Sequence, residues 1–218
     1  MISAILFDFD GVIVDSERLH WAAFNAVMND PVSWDDYVET LIGFDDRDAF
    51  KHLFPNIGKT ELDDLIAKKA AAFQELLESD GAAALPGAVE LIQNLSGKLP
   101  LAICSGALRE DILPILGKLG IEEAFDTIVT ADDTHISKPD PAPYSKAWKN
   151  LAEIFQALEK PESGLAIEDT PAGIASAKGA GLKVLAVTNS YEKEFLTEAD
   201  LVVDSLEGIT LEMLNELT

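Results

Sequence analysis

Residues 4–17 have the sequence AILFDFDGVIVDSE, in which an apolar run ends in two carboxylates, Asp8 and Asp10. A short continuous apolar run is typical of a strand that is buried on both faces of a sheet. A carboxylate at the end of such a strand costs free energy unless it is paired or bound to a metal ion. The stretch therefore predicts a buried strand followed by two acids that have a chemical role.

Strand-like and helix-like segments alternate through the second part of the chain. Apolar runs of strand length occupy residues 100–104, 125–130, 164–168, 183–187 and 199–203. The segments between and after them have apolar residues at helical spacing, including long ones at 141–158 and 206–217. This alternation predicts a parallel sheet covered by helices on both faces.

Residues 16–80 interrupt the alternation directly after the first strand. Their apolar side chains recur at helical spacing, and no strand-like run occurs between Val14 and Leu99. We therefore predict an α/β fold with a Rossmann-like parallel-sheet core and an inserted all-helical domain. The core is expected to comprise residues 1–15 and 81–218, and the helical domain residues 16–80.

The charge balance of the chain is strongly acidic. The 218 residues include 16 Lys and Arg against 39 Asp and Glu, which gives a formal net charge of −23. Nucleic-acid binding requires a basic surface, and an anionic membrane would repel this chain, so we expect neither as a partner. A phosphorylated ligand would also be repelled at long range, and any phosphate site must therefore be locally electropositive.

The cysteine content and the apolar runs indicate the compartment. The one cysteine, Cys104, lies in an apolar run, which excludes an internal disulfide and predicts a buried thiol. No apolar run reaches the roughly 18 residues of a membrane helix. Asp8 and Asp10 interrupt the apolar run near the N-terminus, so we expect no signal peptide. These features favour a cytoplasmic protein, and we expect a monomer.

Polar residues follow four of the predicted strands. In an open parallel sheet, ligands bind at the carboxyl ends of the strands. Asp8 and Asp10 follow the first strand. The residues at the other three strand ends are Ser105 with Gly106, Lys138, and Glu168 with Asp169. We expect these groups to meet at one edge of the sheet.

Each of these residues also has a purely structural explanation. Ser105 could cap the helix that follows it, and Lys138 could be a solvated loop charge. Glu168 and Asp169 could cap the helix that begins at Pro171. The combination of acids, a hydroxyl and a lysine at four strand ends favours a common chemical role instead.

The combination resembles the motif set of the haloacid dehalogenase superfamily of phosphotransferases. DFDGV at residues 8–12 is similar to the first motif, and Ser105 to the second. Lys138 is similar to the third motif, and the acid pair 168–169 to the fourth. The resemblance covers nearly the whole chain and implies that residues 16–80 are the helical cap of this family. It is specific for the mechanism and leaves the substrate open.

The resemblance implies a role for each residue at the predicted site. Asp8 would be the nucleophile that forms an aspartyl-phosphate. Asp10 would protonate the leaving oxygen and then deprotonate the attacking water. Lys138 would neutralise Asp8 and a phosphoryl oxygen. Ser105 and backbone N–H groups near Gly106 would bind another phosphoryl oxygen.

The implied cofactor is Mg²⁺, because a cation must bridge the nucleophile and the anionic phosphoryl group. Its implied ligands are Asp8, the backbone carbonyl of Asp10, and Asp169. Glu168 is either a further ligand or an acid that orients the others.

Within the superfamily, the chain is most similar to the branch of beta-phosphoglucomutase, phosphoglycolate phosphatase and small sugar-phosphate phosphatases. His20 lies where the mutase has a histidine that assists the general acid, and Lys69 where it has a lysine that binds the non-reacting phosphate. Arg47 lies one residue beyond the position of the mutase arginine, where Asp46 stands instead. These residues are candidates for substrate binding.

Arg109, early in the helix after Ser105, is a further candidate for binding the phosphate. Alternatively, Arg109 is a surface residue paired with Glu110 or Asp111. His20 is alternatively a packed histidine of the helical domain.

The predicted function is a Mg²⁺-dependent phosphatase that acts on a small phosphorylated metabolite, either a sugar phosphate or a phosphoglycolate-like monoester. A phosphomutase is the alternative, supported by His20 and Lys69. Asp46 weakens it, because a mutase must hold two phosphate groups in turn. A phosphonate hydrolase is less expected, because nothing singles out a Schiff-base lysine. A catalytically inactive binding protein is also less expected, because all the acids of the motifs are present.

Overall fold

The computed structural model describes residues 1–216; residues 217 and 218, the end of the predicted core and of the predicted last helix, lie outside the described part. The strands in that part are β1 Ala4–Phe7, β2 Val14–Asp15, β3 Ala83–Ala84, β4 Leu101–Cys104, β5 Thr127–Val129, β6 Gly164–Glu168, β7 Lys183–Val187 and β8 Leu201–Val203. Six of them form one all-parallel sheet in the order β5–β4–β1–β6–β7–β8. This topology confirms the predicted α/β fold.

Helices follow most of the strands. They are α1 Glu17–Val27, α2 Trp34–Thr40, α3 Asp46–Leu53, α4 Lys59–Ser79, α5 Ala88–Leu95, α6 Arg109–Leu119, α7 Ala142–Ile154, α8 Pro171–Gly179 and α9 Leu211–Asn215. Within residues 1–216, none of them combines the length and the apolar character that a membrane span requires.

The apolar strands form the centre of the core. All four residues of β1 are buried, because helices cover both faces of the sheet. Ile5 and Phe7 belong to an apolar cluster with α5, α6 and α9, whereas Ala4 and Leu6 belong to a cluster with α7 and α8 on the opposite face. Burial of each large apolar side chain stabilises the fold by about 1.5–3 kcal/mol. Cys104, at the end of β4, is buried as a free thiol.

Helices α1–α4, which we call the helical segment, pack around an apolar cluster of their own. Its buried residues include Phe24, Tyr37, Phe50 and Leu62. The chain crosses between the sheet and the helical segment twice, and at these crossings β2 pairs antiparallel with β3. The division into domains at residues 15/16 and 80/81 stays a prediction.

The pairing of β2 with β3 corrects one expectation from the sequence. The expectation that no strand lies between Val14 and Leu99 is wrong, because β3 occupies Ala83–Ala84. Each partner is two residues long. So short a pair has no periodic pattern in the sequence, and only the tertiary fold brings its two halves together.

Two helices are shorter than their apolar spacing predicts. α7 ends at Ile154 instead of residue 158, because the backbone becomes extended at Phe155. α9 begins at Leu211 instead of residue 206, because the Thr210 hydroxyl caps it by accepting a hydrogen bond from a first-turn N–H.

Candidate active site

Three neighbouring strands bring the predicted residues to one edge of the sheet. β4, β1 and β6 lie side by side in parallel, so their carboxyl ends share that edge. Asp8 follows β1, Ser105 follows β4, and Glu168 and Asp169 lie at the end of β6. Lys138 reaches the same edge from the loop between β5 and α7. The structure thus brings these five side chains together.

Lys138 is the electrostatic centre of this group. Its Nζ lies 3.0 Å from Asp8 Oδ1 and donates to Glu168 Oε1 at 2.6 Å, and the side chain is 6% exposed. Burial opposes the charge, but the two carboxylates raise the pKa of Lys138 above its usual value. Burial and Glu168 in turn raise the pKa of Asp8, which Lys138 partly offsets. Lys138 is therefore a buried partner of two acids and not a solvated loop charge.

Both oxygens of the Glu168 carboxylate accept hydrogen bonds. Oε1 accepts from Lys138 and, at 2.8 Å, from the Tyr144 hydroxyl. Oε2 accepts from the backbone N–H groups of Asp169 and Thr170 at 3.1 and 3.4 Å. The cap of α8 is Thr170, whose hydroxyl accepts from a first-turn N–H at 3.0 Å. The explanation of the acid pair as a helix cap is therefore wrong.

The carboxylates of Asp8, Glu168 and Asp169 form an acidic cluster. One oxygen from each lies within 4.8 Å of the others. Together with the Lys138 ammonium, these groups carry a net charge of −2 when all are ionised, which a divalent cation would balance. Burial, Asp8 and Glu168 raise the pKa of Asp169, as expected for crowded carboxylates.

One carboxylate oxygen of Asp169 has the properties expected of a metal ligand. Asp169 is fully buried, and its Oδ2 accepts from the Ser190 hydroxyl. Its Oδ1 is the one buried side-chain polar atom in residues 1–216 that has no hydrogen-bond partner. A buried carboxylate oxygen without a partner costs free energy, and hard cations bind such oxygens. The residues present therefore fit a divalent metal ion.

Gly11 lets the loop after β1 approach Asp169 closely. Its φ is +74°, in the left-handed region, and a Cβ at this position would lie 1.9 Å from Asp169 Oδ2. The Gly11 carbonyl also accepts from Asn189 Nδ2 at 2.7 Å. Glycine in the DFDG sequence is thus required both by the backbone conformation and by the neighbouring acid.

Gly11→Ala should weaken both the fold and metal binding. The left-handed backbone costs alanine about 1 kcal/mol, and the added methyl group would displace the Asp169 carboxylate. Gly81→Ala is the matched control, because Gly81 has a φ of +73° but no atom within 4 Å of an added Cβ. In thermal melts with and without Mg²⁺, only the Gly11 variant should lose the stabilisation by metal. Equal responses of the two variants would contradict the role of the close approach.

A hydrogen-bonded chain runs from Asp10 into the helical segment. His20 Nε2 lies 3.2 Å from Asp10 Oδ1, and His20 Nδ1 lies 2.7 Å from Lys69 Nζ. Lys69 Nζ also lies 2.8 Å from Asp46 Oδ1. Because an ammonium only donates, His20 Nδ1 accepts, and His20 Nε2 carries the hydrogen that Asp10 accepts. Phe73 stacks on the His20 ring at 4.2 Å and restrains its plane.

The contacts of Asp10 favour its ionised form. Burial acts against ionisation, but His20 and the Ser16 hydroxyl, which donates to Oδ1, lower the pKa of Asp10. These contacts therefore stabilise the carboxylate form of Asp10 relative to its protonated form.

Ser105 lies next to Asp10 and not at the start of a helix. Its hydroxyl donates to Asp10 Oδ2 at 3.4 Å and accepts from the Ala107 N–H at 3.0 Å. α6 begins at Arg109, so the explanation of Ser105 as a helix cap is wrong. Gly106 lines the same pocket as Asp10.

These groups enclose one pocket between the sheet edge and the helical segment. Asp8, Lys138 and Gly106 line it from the sheet side, and His20 and Lys69 line it from the helical segment. Its volume is about 50 Å³, which is room for a few water molecules. The helical segment therefore covers the sheet edge in this structure and leaves little room beside Asp8.

Two predicted phosphate-binding arginines lie outside this pocket. The Arg109 guanidinium donates to a backbone carbonyl of β5 at 2.8 Å and to Asp133 at 2.7 Å. Arg47 is 39% exposed and lies 3.9 Å from Asp45, while its neighbour Asp46 lines the pocket. Arg47 and Arg109 do not line the pocket in this structure, so their predicted contact with the substrate stays a prediction. Arg109 pairs with Asp133 instead of the acids next to it in sequence.

Five further residues contact or line the site, although the sequence indicates them weakly or not at all. Asn189 and Ser190 follow β7, so the rule that strand ends carry the site would have found them. Tyr144 reaches Glu168 from α7, and Glu17 and Asp111 line the pocket from α1 and α6. Nothing in the sequence distinguishes these two acids from the many acids on exposed helix faces.

The sequence is similar to those of known proteins. The sequence matches the model of the haloacid dehalogenase-like hydrolase family over residues 5–187. It is 31% identical to validoxylamine A 7′-phosphate phosphatase from Streptomyces hygroscopicus subsp. limoneus over 212 residues, which cover 96% of each protein.

Solved structures share the fold over its whole length. CbbY from Rhodobacter sphaeroides in complex with phosphate superposes with a TM-score of 0.88 at 26% identity, covering 99% of this chain and 100% of its own. Beta-phosphoglucomutase from Clostridium difficile superposes with a TM-score of 0.85 at 26% identity, covering 100% of this chain and 97% of its own. Because sequence and structure agree over nearly the full chain, the protein is a haloacid dehalogenase-like hydrolase of the branch that contains CbbY and beta-phosphoglucomutase.

Proposed function

We propose that this protein is a Mg²⁺-dependent phosphatase that hydrolyses a small phosphate monoester through an aspartyl-phosphate. The observation that carries the proposal is that Asp8, Asp10 and Lys138 line one pocket. They supply a nucleophile, an acid–base group and a cation to one reacting centre. The similarity to a curated phosphatase supports the same reaction class. The proposed substrate is a sugar phosphate or a phosphoglycolate-like monoester, and we expect a monomeric enzyme in the cytoplasm.

In the first step, a carboxylate oxygen of Asp8 attacks phosphorus, and the bond from phosphorus to the leaving oxygen breaks. Lys138, 3.0 Å from Asp8, offsets the repulsion between the carboxylate and the phosphoryl group. Asp10 gives its proton to the leaving oxygen, and the alcohol departs. Ser105 and the backbone at Gly106 hold a phosphoryl oxygen.

In the second step, a water molecule attacks the phosphorus of the aspartyl-phosphate. Asp10 takes a proton from this water, and the bond from phosphorus to the Asp8 oxygen breaks. Inorganic phosphate leaves, the Asp8 carboxylate is restored, and Asp10 holds the proton that the next first step requires. The His20 and Ser16 contacts lower the pKa of Asp10, so the proton that Asp10 takes from water is readily given to the next leaving oxygen.

We propose that Mg²⁺ is held by Asp8, Asp169 and the backbone carbonyl of Asp10. When bound, the ion supplies positive charge that offsets the repulsion between two anionic reactants. The unpartnered Oδ1 of Asp169 supports this assignment. Both oxygens of Glu168 already accept hydrogen bonds, so we assign Glu168 to orienting Lys138 instead of binding the metal.

We propose that residues 16–80 are a cap that opens to admit the substrate. The closed pocket of about 50 Å³ is far below the roughly 300–1,000 Å³ of typical ligand sites. β2 and β3 join the cap to the core, so the proposed hinge lies at this ribbon. In the closed state the cap excludes bulk water from Asp8.

A phosphomutase is the alternative function. The contact between His20 and Asp10 favours this alternative, because the same contact is part of the mutase pattern. The similarity to beta-phosphoglucomutase points the same way. Against it, Lys69 is paired with Asp46. The cation that would hold a second phosphate group is therefore already neutralised.

The test is phosphate release from a panel of monoesters with Mg²⁺, including beta-glucose 1-phosphate and phosphoglycolate. A coupled assay measures glucose 6-phosphate in parallel. We expect release of inorganic phosphate from one or a few esters. Formation of glucose 6-phosphate with little free phosphate would instead establish the mutase.

Removal of divalent metal should abolish this hydrolysis. EDTA should reduce phosphate release to background, and excess Mg²⁺ should restore it, because the acidic cluster otherwise repels the phosphoryl group. Mg²⁺ should also raise the melting temperature of the substrate-free protein, since it binds the folded state. Indifference of both readouts to EDTA and Mg²⁺ would refute the metal assignment.

A further inference from the structure

The pocket wall around Asp10 carries further carboxylates. In the proposed mechanism Asp10 faces the leaving oxygen, so the wall beyond it receives the rest of the leaving group. Glu17, Asp46 and Asp111 line this pocket. They come from three separate helices, α1, α3 and α6, so the acidity belongs to the pocket and not to one helix face.

Lys69 is the positively charged residue of this pocket wall, and its ammonium group already binds other side chains of the protein. The side chain is 1% exposed, and Nζ lies 2.8 Å from Asp46 Oδ1 and 2.7 Å from His20 Nδ1. The rings of Phe24 and Phe73 lie 5.0 and 5.2 Å from Nζ. Lys69 therefore neutralises Asp46 and is not available to a negatively charged group of a ligand.

The other two acids have neutral hydrogen-bond partners. The Tyr37 hydroxyl donates to Glu17 at 2.8 Å, and Gln74 Nε2 donates to Asp111 at 2.5 Å. Neutral donors leave the negative charge in place. The three acids and Lys69 together carry a net charge of −2 when ionised. Such a wall repels anions and attracts cations.

We propose that Asp46, with the acids around it, selects phosphate monoesters whose leaving group is neutral or cationic and rejects those whose leaving group carries a second anionic group. The inference rests on the proposed phosphatase function and narrows its substrate. Polyol and amine-bearing leaving groups fit, because carboxylates accept hydrogen bonds from hydroxyl and ammonium groups. Bisphosphates and phosphoglycolate, whose leaving group carries a carboxylate, do not fit.

Three probes with one carbon skeleton test this selection: glucose 6-phosphate, glucosamine 6-phosphate and 6-phosphogluconate. Each is measured as a substrate and as a competitive inhibitor of p-nitrophenyl phosphate hydrolysis, so that a ranking is obtained even for a slow substrate. Assays near pH 7 keep Asp111 largely ionised, since burial raises its pKa to about 6, and keep the amine of glucosamine 6-phosphate largely protonated. We expect kcat/KM or affinity for the neutral and cationic probes to exceed that for 6-phosphogluconate at least about tenfold.

Asp46→Asn tests the assignment to one residue. The change removes one negative charge and releases Lys69, so the preference for glucose 6-phosphate over 6-phosphogluconate should fall at least about tenfold. Asp64→Asn is the matched control, because Asp64 pairs with Lys68 on the exposed face of α4 and is 58% exposed. The Asp64→Asn variant should show the same preference between these two substrates as the wild type. If Asp46→Asn does not fold, Asp111→Asn is measured instead, and it should also lower the preference for glucose 6-phosphate over 6-phosphogluconate.

The outcomes separate the inference from the function on which it rests. Hydrolysis of all three probes with equal efficiency would overturn the inference and leave the phosphatase intact. Unchanged selectivity in both the Asp46 and Asp111 variants would also overturn it. No hydrolysis of any ester, including p-nitrophenyl phosphate, would overturn the proposed function and the inference together.

Discussion

Asp8→Asn is expected to lower kcat/KM for phosphate monoesters by at least about 10⁴-fold, because the amide oxygen cannot replace the attacking carboxylate. The side chain keeps its size and its place between β1 and Lys138. Burial and Glu168 raise the pKa of Asp8, so the ionised side chain is less favourable in the metal-free fold than in the unfolded chain. The melting temperature of the metal-free variant at pH 7.5 should therefore equal or exceed that of the wild type.

Steady-state phosphate release and thermal melts measure the two effects separately. Asp30→Asn serves as the control, because Asp30 is exposed in the loop before α2 and makes the same change of charge. This control should retain wild-type activity. Activity of Asp8→Asn within tenfold of the wild type would refute the assignment of Asp8 as nucleophile.

Lys138→Met is expected to reduce both activity and stability. Loss of the ammonium leaves Asp8 and Glu168 buried without their cation, and removal of one partner of a buried ion pair costs about 3–5 kcal/mol. Catalysis should fall by about 10³-fold or more, because the phosphoryl group then meets uncompensated carboxylates. Methionine keeps most of the volume, so the loss reports the charge and not a cavity.

Chemical denaturation and phosphate release with saturating Mg²⁺ test this variant. Mg²⁺ should recover part of the stability, since it restores positive charge beside Asp8, but should not recover the activity. Lys149→Met is the control, because Lys149 is 75% exposed and pairs with Glu153 on the surface of α7; surface pairs of this kind contribute at most about 1 kcal/mol. Equal losses in the two lysine variants would argue against the central role of Lys138.

Sequence patterns alone predict the fold class and bring most of the candidate residues to the sheet edge. Apolar runs alternating with helical spacing identify the parallel strands, because strands buried on both faces admit few polar residues. In such a sheet, any residue directly after a strand lies at the carboxyl edge, whatever conformation the connecting loops adopt. For this reason Asp8, Ser105 and Asp169 could be placed together before the structure was known, and Asn189 and Ser190 followed the same rule.

The pairing of charged groups, by contrast, depends on long-range packing. Lys69 meets Asp46, and Arg109 meets Asp133, although each cation has other acids closer in sequence. No periodicity records such partners, because they are set by the packing of helices and loops that are distant in the chain. The short β2–β3 ribbon depends on the same long-range packing. Strand ends are thus determined locally, whereas the charge of the pocket wall follows from how the helical segment packs over them. The substrate selection that we propose therefore depends on the tertiary structure.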